Sequence, residues 1–269
     1  MQLPQYDTLL TEIQGPALVV TINRPKALNA LSQAVVADLT DLTRRLSESG
    51  RDGDWPVRGV VLTGAGEKSF VAGADIVEMN SMDAACAVEY GRSMHRVTQT
   101  LEALPVPVIA AVNGFALGGG CELALACDFI LASASARFGQ PEVSLGLVPG
   151  FGGSVRLPRR VSPGLARELI LTGRQVKADE AVRIGLVNSV HEDKAALLAA
   201  ALATVEGIAS HSPTAVANAK TAMEAMVGLN TADALEVEAE SFRTAFLSED
   251  SVEGRSAFVE KRRPHFPGR

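Results

Sequence analysis

Alternating apolar and polar positions open the chain: residues 7–14 and 17–23 each read as a strand, joined by a Gly15-Pro16 turn. The period then changes. Ser32 is a capping residue, and Val35, Val36, Leu39, Leu42 and Leu46 fall on one helical face behind it. Residues 59–62 form a short apolar strand, followed by a glycine-rich loop over 63–74. A second helix is predicted near residues 83–104, with Tyr90, Met94, Val97, Leu101 and Leu104 in one stripe. Residues 106–112 are apolar throughout, bounded by Pro105 and Asn113-Gly114, as expected of a strand buried on both faces. A loop over 115–120, helical character over 121–127, a strand at 129–132 and a turn at Gly139-Gln140-Pro141 follow.

Strand, loop and helix in alternation imply an α/β architecture with ligand chemistry in the loops that follow the strands. From about Ala195 the strand pattern stops. Helices are expected from Ser212-Pro213, from near Thr231 and over 250–260, with Lys261-Arg262-Arg263-Pro264 ending the last. The predicted division is an α/β core over 1–194 and a helical region, suited to oligomerisation, over 195–269.

Composition narrows the class. A chain of 269 residues, 47% hydrophobic and 21% charged, can bury a large core and reads as a soluble globular protein. Its formal net charge of −6 argues against nucleic-acid binding through bulk electrostatics, while leaving room for an anionic ligand on a local basic patch. Residues 1–15 have no basic stretch before an apolar core, so no signal peptide is expected. The apolar run at 195–205 has about half the ~20 residues of a membrane span. Cys86, Cys121 and Cys127 form no CxxC pair and suit a reducing, cytoplasmic setting.

Several chemical motifs fail on spacing. Gly64-Ala65-Gly66-Glu67-Lys68-Ser69 lacks the four-residue gap of a phosphate-binding loop, and Gly152-Gly153-Ser154 is no nucleophile elbow. His95, His191, His211 and His265 have no metal-ligand spacing, so no metal is expected. Two segments instead set small residues beside acids: Phe70-Val71-Ala72-Gly73-Ala74-Asp75-Ile76, and the run from Ala111 through Gly118-Gly119-Gly120-Cys121-Glu122 to Gly139-Gln140-Pro141-Glu142. Taken singly, the glycines could merely permit turns. Glu122 could be a first-turn acid facing a helix dipole, and Glu142 an early helical acid after Pro141.

Together these segments closely resemble the crotonase superfamily, and within it the short-chain enoyl-CoA hydratase/isomerase family. The likeness runs from Asn23-Arg24-Pro25-Lys26-Ala27-Leu28-Asn29-Ala30-Leu31 to Phe258-Val259-Glu260-Lys261-Arg262, nearly the whole chain. It implies a crotonase-like spiral of ββα units followed by helices that build trimers, paired into a hexamer as a dimer of trimers. It further implies an oxyanion hole from the N–H groups of Ala74 and Gly119. Glu122 becomes the water-activating base and Glu142 the proton donor. Lys26, Ala72, Asp75 and Ile76 would contact CoA, with Phe258 and Lys261 reaching the CoA of a neighbouring subunit. The basic C-terminal cluster could equally complement the last helix's dipole.

The expected substrate is an acyl-CoA thioester, with no cofactor beyond the CoA it carries. The expected reaction is reversible addition of water across the 2,3 double bond of a short-chain trans-2-enoyl-CoA. Relatives that isomerise, dehalogenate or decarboxylate alter one or both glutamates, which are both present here. An isomerase, or a specialised dehydratase of the branched-chain or methylglutaconyl-CoA type, is the alternative enzymatic reading. A non-catalytic, RNA-associated relative is the alternative of another class, disfavoured by the acidic charge and by the two glutamates.

Overall fold

A computed structural model describes residues 3–48 and 53–269. The first hairpin, β1 (Leu9–Gln14) and β2 (Ala17–Ile22), leads through a 3₁₀ turn at Pro25–Ala27 into α1 (Gln33–Leu46), capped by the Ser32 hydroxyl as its position suggested. Then come β3 (Gly59–Gly64), β4 (Ser69–Val71), α2 (Ile76–Met79) and α3 (Ala84–Glu102). The next units are β5 (Val108–Val112), β6 (Phe115–Leu117) and α4 (Gly119–Leu125). They are followed by β7 (Phe129–Ser133), β8 (Arg137–Gly139) and a 3₁₀ turn at Pro141–Leu145. Helices α5 (Gly153–Arg160) and α6 (Pro163–Thr172) precede β9 (Val176–Lys177), α7 (Ala178–Arg183) and β10 (Ser189–His191). The chain ends in α8 (Lys194–Ala209), α9 (Pro213–Ala225), α10 (Thr231–Leu247) and α11 (Glu249–Glu260).

Two sheets result. The larger runs β1-β2-β3-β5-β7-β10, parallel except for the β1–β2 hairpin; the smaller runs β4-β6-β8-β9, with β9 antiparallel. The pairs β3/β4, β5/β6 and β7/β8 each place one strand in either sheet, which makes the chain a spiral of strand pairs. The smaller sheet was not visible in the residue pattern. Its strands are two or three residues long, too short to display a period of two, and β6 lies inside the segment expected to be a loop.

Both faces of the large sheet are covered. Leu18, Val20, Ile22, Val60, Leu62, Val108, Ala110 and Val112 face the main core with α1 and α3. The alternate residues Ala17, Val19, Val61, Ile109, Ala111 and Leu131 pack on Leu197, Ala201 and Val205 of α8. The expected boundary at 194/195 therefore coincides with a helix that completes the sheet's second face. The layers after it differ: α10 buries no residue, and Phe242, Phe246, Phe258 and Val259 are exposed.

Corners between the sheets are held by buried amides. Asn113 accepts from the Gly64 N–H (3.1 Å) and donates to the Gly66 (2.9 Å) and Ser69 (3.2 Å) carbonyls. Asn29 donates to the Ala65 and Ser69 carbonyls, both at 2.9 Å. Burying such groups costs several kcal/mol unless they are paired; here each pairs with backbone at the β3–β4 connection and the strand ends beside it.

Candidate active site

The glycine run places α4 so that its open N-terminus and Glu122 serve one space. Gly118, the N-cap, has φ 49°, and a Cβ there would stand 2.9 Å from Glu142 Oε1. Only glycine allows both the turn and the approach. Every residue of α4 is buried, Glu122 to 1% exposure. A cavity of about 130 Å³ opens there, and its lining includes Ala74, Gly119, Glu122, Glu142, Met79 and Phe151. The two acids and two N–H groups singled out in the sequence thus meet at one cavity.

The two amides share an orientation logic. The Gly118 carbonyl accepts from the Glu122 N–H (2.9 Å), so across that trans peptide the Gly119 N–H points out of the helix end. The Gly73 carbonyl accepts from the Leu31 N–H (2.9 Å), so the Ala74 N–H points the opposite way, away from Leu31. Neither amide donates to a protein acceptor among the described residues.

The two carboxyl groups differ in support. Glu122 Oε1 accepts from the Phe151 N–H (2.8 Å) and the Gly153 N–H (2.7 Å), both bonds going to the one oxygen of a residue that lines the cavity. Burial pushes its carboxyl above the ordinary range, while those donors and the Arg156 charge pull the other way. Burial pushes Glu142 up to about 7, and the nearby Glu122 charge adds to the rise. Buried Gln140, with its amide turned to satisfy its neighbours, donates to Glu142 Oε1 (2.9 Å) and Oε2 (3.2 Å).

Of the expected CoA contacts, Ala72 and Ile76 line the same cavity. Asp75 lies beside it. Its carboxylate pairs with Arg24 (3.0 Å) and accepts from the Val77 (3.2 Å) and Glu78 (3.4 Å) N–H groups. Lys26 is exposed on the first 3₁₀ turn; Phe258 and Lys261 are exposed at the end of α11, outside the cavity lining. Residue types alone did not single out Gln140 or Phe151, which hold the two acids. The Gly152-Gly153 pair was the available signal, since backbone amides approach a buried carboxylate most closely where side chains are absent. Among the described residues no group of three His, Cys, Asp or Glu side chains is placed to hold a metal ion.

Comparison with known proteins agrees with this geometry. Residues 12–269 match the family described as enoyl-CoA hydratase/isomerase. The chain is 47% identical to the short-chain-enoyl-CoA hydratase of Clostridium acetobutylicum, covering 96% of this chain and 97% of that protein. It is 44% identical to the crotonyl-CoA hydratase of Syntrophomonas wolfei, covering 97% and 98%. The crystal structure of an enoyl-CoA hydratase from Bacillus anthracis superposes with a TM-score of 0.92 at 38% identity, covering 98% of this chain and all of that one. A fold match alone would leave the chemistry open, but identity at this level spans the sheets, the cavity and the helices alike. The chain belongs to the enoyl-CoA hydratase/isomerase family of the crotonase superfamily.

Proposed function

We propose that this protein is an enoyl-CoA hydratase that adds water reversibly across the 2,3 double bond of a short-chain trans-2-enoyl-CoA, giving the 3-hydroxyacyl-CoA. The observation that carries the reading is the meeting of two unpaired backbone N–H groups and two differently supported carboxyl groups at one small, largely apolar cavity. The thioester carbonyl accepts from the Ala74 and Gly119 N–H groups, which stabilise the negative charge that grows on that oxygen. Glu122, whose Oε1 is held by two N–H donors that favour the ionised form, uses Oε2 to take a proton from water as its oxygen bonds to the β-carbon. Glu142, raised to about 7 and hence about half protonated near neutrality, delivers a proton to the α-carbon. One proton enters the pair and one leaves it, so a shift between the two carboxyl groups restores the start.

The small cavity supports a short acyl chain, and Ala72 and Ile76 extend the binding surface at its edge. The exposed aromatic and aliphatic side chains of α10 and α11 support self-association through the helical end, which we propose builds trimers paired as a hexamer, in the cytoplasm. Light scattering that returns a monodisperse monomer at micromolar concentration contradicts that assembly. For the reaction, the purified protein is expected to bleach the enoyl-thioester absorbance of crotonyl-CoA, and methylcrotonyl- and methylglutaconyl-CoA more slowly. Unchanged absorbance with all three thioesters overturns the reading.

A further inference from the structure

The Ala74 amide has no side chain to aim it, and the segment that carries it is short and half-exposed. What aims it is a relay that begins at Arg24. The Arg24 guanidinium donates through Nη1 to the Ala30 carbonyl (2.7 Å) and through Nη2 to Asp75 Oδ2 (3.0 Å). Across the trans Ala30–Leu31 peptide, a carbonyl fixed toward Arg24 turns the Leu31 N–H the other way. That N–H donates to the Gly73 carbonyl (2.9 Å), and across the Gly73–Ala74 peptide the Ala74 N–H is in turn directed away from Leu31. The return bond, from the Asp75 N–H to the Leu31 carbonyl (2.9 Å), closes a single parallel bridge between Leu31 and Ala74. The Tyr90 hydroxyl donates to the same Leu31 carbonyl.

We propose that Arg24 is a positioning residue for the Ala74 half of the oxyanion hole. One guanidinium grips both sides of the two-stranded bridge that orients the amide: the Ala30–Leu31 peptide on one side and Asp75 on the other. A planar fork suits this task, because its donors diverge at fixed angles, which an ammonium on a flexible stem does not reproduce. The ion pair is largely shielded, with side-chain exposures of 26% for Arg24 and 13% for Asp75. The pair has no counterpart at Gly119, whose direction is set by α4 itself. The inference rests on the hydratase reading, because only a reaction that builds charge on the thioester oxygen uses the amide's direction.

The test compares the parent with Arg24→Ala, Arg24→Lys and Asp75→Asn, each first matched to the parent in circular dichroism and oligomeric state. Asp75→Asn keeps the Oδ1 acceptor that caps α2 and turns Oδ2, the acceptor for Arg24, into an amide NH2, removing the charge together with that hydrogen bond. Displacing an oxyanion donor by about 1 Å is expected to lower the kcat of Arg24→Ala by about 10²-fold while KM stays within about threefold. Arg24→Lys should recover part of kcat. Arg24→Ala and Asp75→Asn should be non-additive in the double variant, as expected of one shared interaction. A second readout needs no turnover: an enoyl-CoA conjugated to an electron-rich aryl group absorbs at longer wavelength when its carbonyl is polarised. The parent should red-shift this probe on binding, and Arg24→Ala should bind it with a much smaller shift. A folded Arg24→Ala with parental kcat and parental red shift overturns the inference, as does a rise in KM alone, which would make Arg24 a CoA contact. A parent that red-shifts the probe but hydrates nothing overturns the hydratase reading and leaves the aiming of the amide intact.

Discussion

The wall that carries Glu122 and the wall that carries Glu142 are built on opposite principles. The first is helix α4, buried along its whole length, with Gly120 pressed against the Val71 backbone, Gly119 against the Phe151 ring, and its carboxylate held by two amides at the start of α5. The second is a 3₁₀ turn that ends at exposed Leu145 and is followed by exposed Leu147 and Val148. Its acid is steadied by a single neutral amide from Gln140. In the proposed mechanism the closed wall keeps an oxyanion donor and a base in fixed register, and the open wall admits substrate and holds an acid whose proton is easily exchanged. In that mechanism the two backbone donors at Glu122, which offset the effect of its burial, are what separate two chemically identical side chains into two roles.

Removing either acid is the harshest way to break this comparison. Glu122→Gln and Glu142→Gln should each lower turnover of crotonyl-CoA by about 10²–10⁴-fold, the usual reach of a positioned acid or base. Steady-state kinetics on variants with parental oligomeric state is the check, and near-parental turnover by either removes that residue from the mechanism.

The closed wall was the more legible one in the sequence. Gly118-Gly119-Gly120 before Cys121-Glu122 announces a close backbone approach at a helix start, and α4 begins there. Likewise the strands with five or six residues and the amphipathic helices α1 and α3 stand where their periodicity put them. The open wall was less legible. Glu142 sits in a 3₁₀ turn whose residues alternate with no period, and its neighbour Gln140 acts through an amide contact that residue type does not reveal. The strands β4, β6 and β8 escaped because three residues cannot show alternation. The second tether on Glu122 comes from amides at Phe151 and Gly153, about thirty residues downstream, a distance over which no local pattern operates.

Packing on the two walls gives a stability contrast of intermediate size. A Cβ at Gly120 would overlap the Val71 carbonyl, which is backbone and cannot rotate aside, whereas a Cβ at Gly146 meets open space and only the strain of φ 71°. Denaturant unfolding should therefore show Gly120→Ala losing about 3 kcal/mol and Gly146→Ala about 1 kcal/mol. Equal losses would mean the closed wall yields as readily as the open one.

The smallest effect expected is on pH dependence. Glu142 is raised in the folded state from an ordinary 4.5 to about 7, so the folded protein binds the proton more tightly than the unfolded chain. The stabilisation this gives is full below 4.5 and is lost as pH rises through about 7. Unfolding stability should decline over that window, and Glu142→Gln should flatten the decline. The kcat/KM for hydration should fall over the same upper limb, as the acid loses its proton before substrate arrives. A rate that rises with pH through 7 reverses the assignment of acid and base.

Hydration itself has a direct isotopic signature. Run in deuterated water with crotonyl-CoA, the enzyme is predicted to form 3-hydroxybutyryl-CoA with one deuterium on the α-carbon, delivered to a single face because both acids border the same cavity. Mass spectrometry and proton NMR of the product read this in one experiment. Product with deuterium scrambled over both faces, or rapid conversion of a 3-enoyl-CoA with no 3-hydroxy product at all, would contradict it.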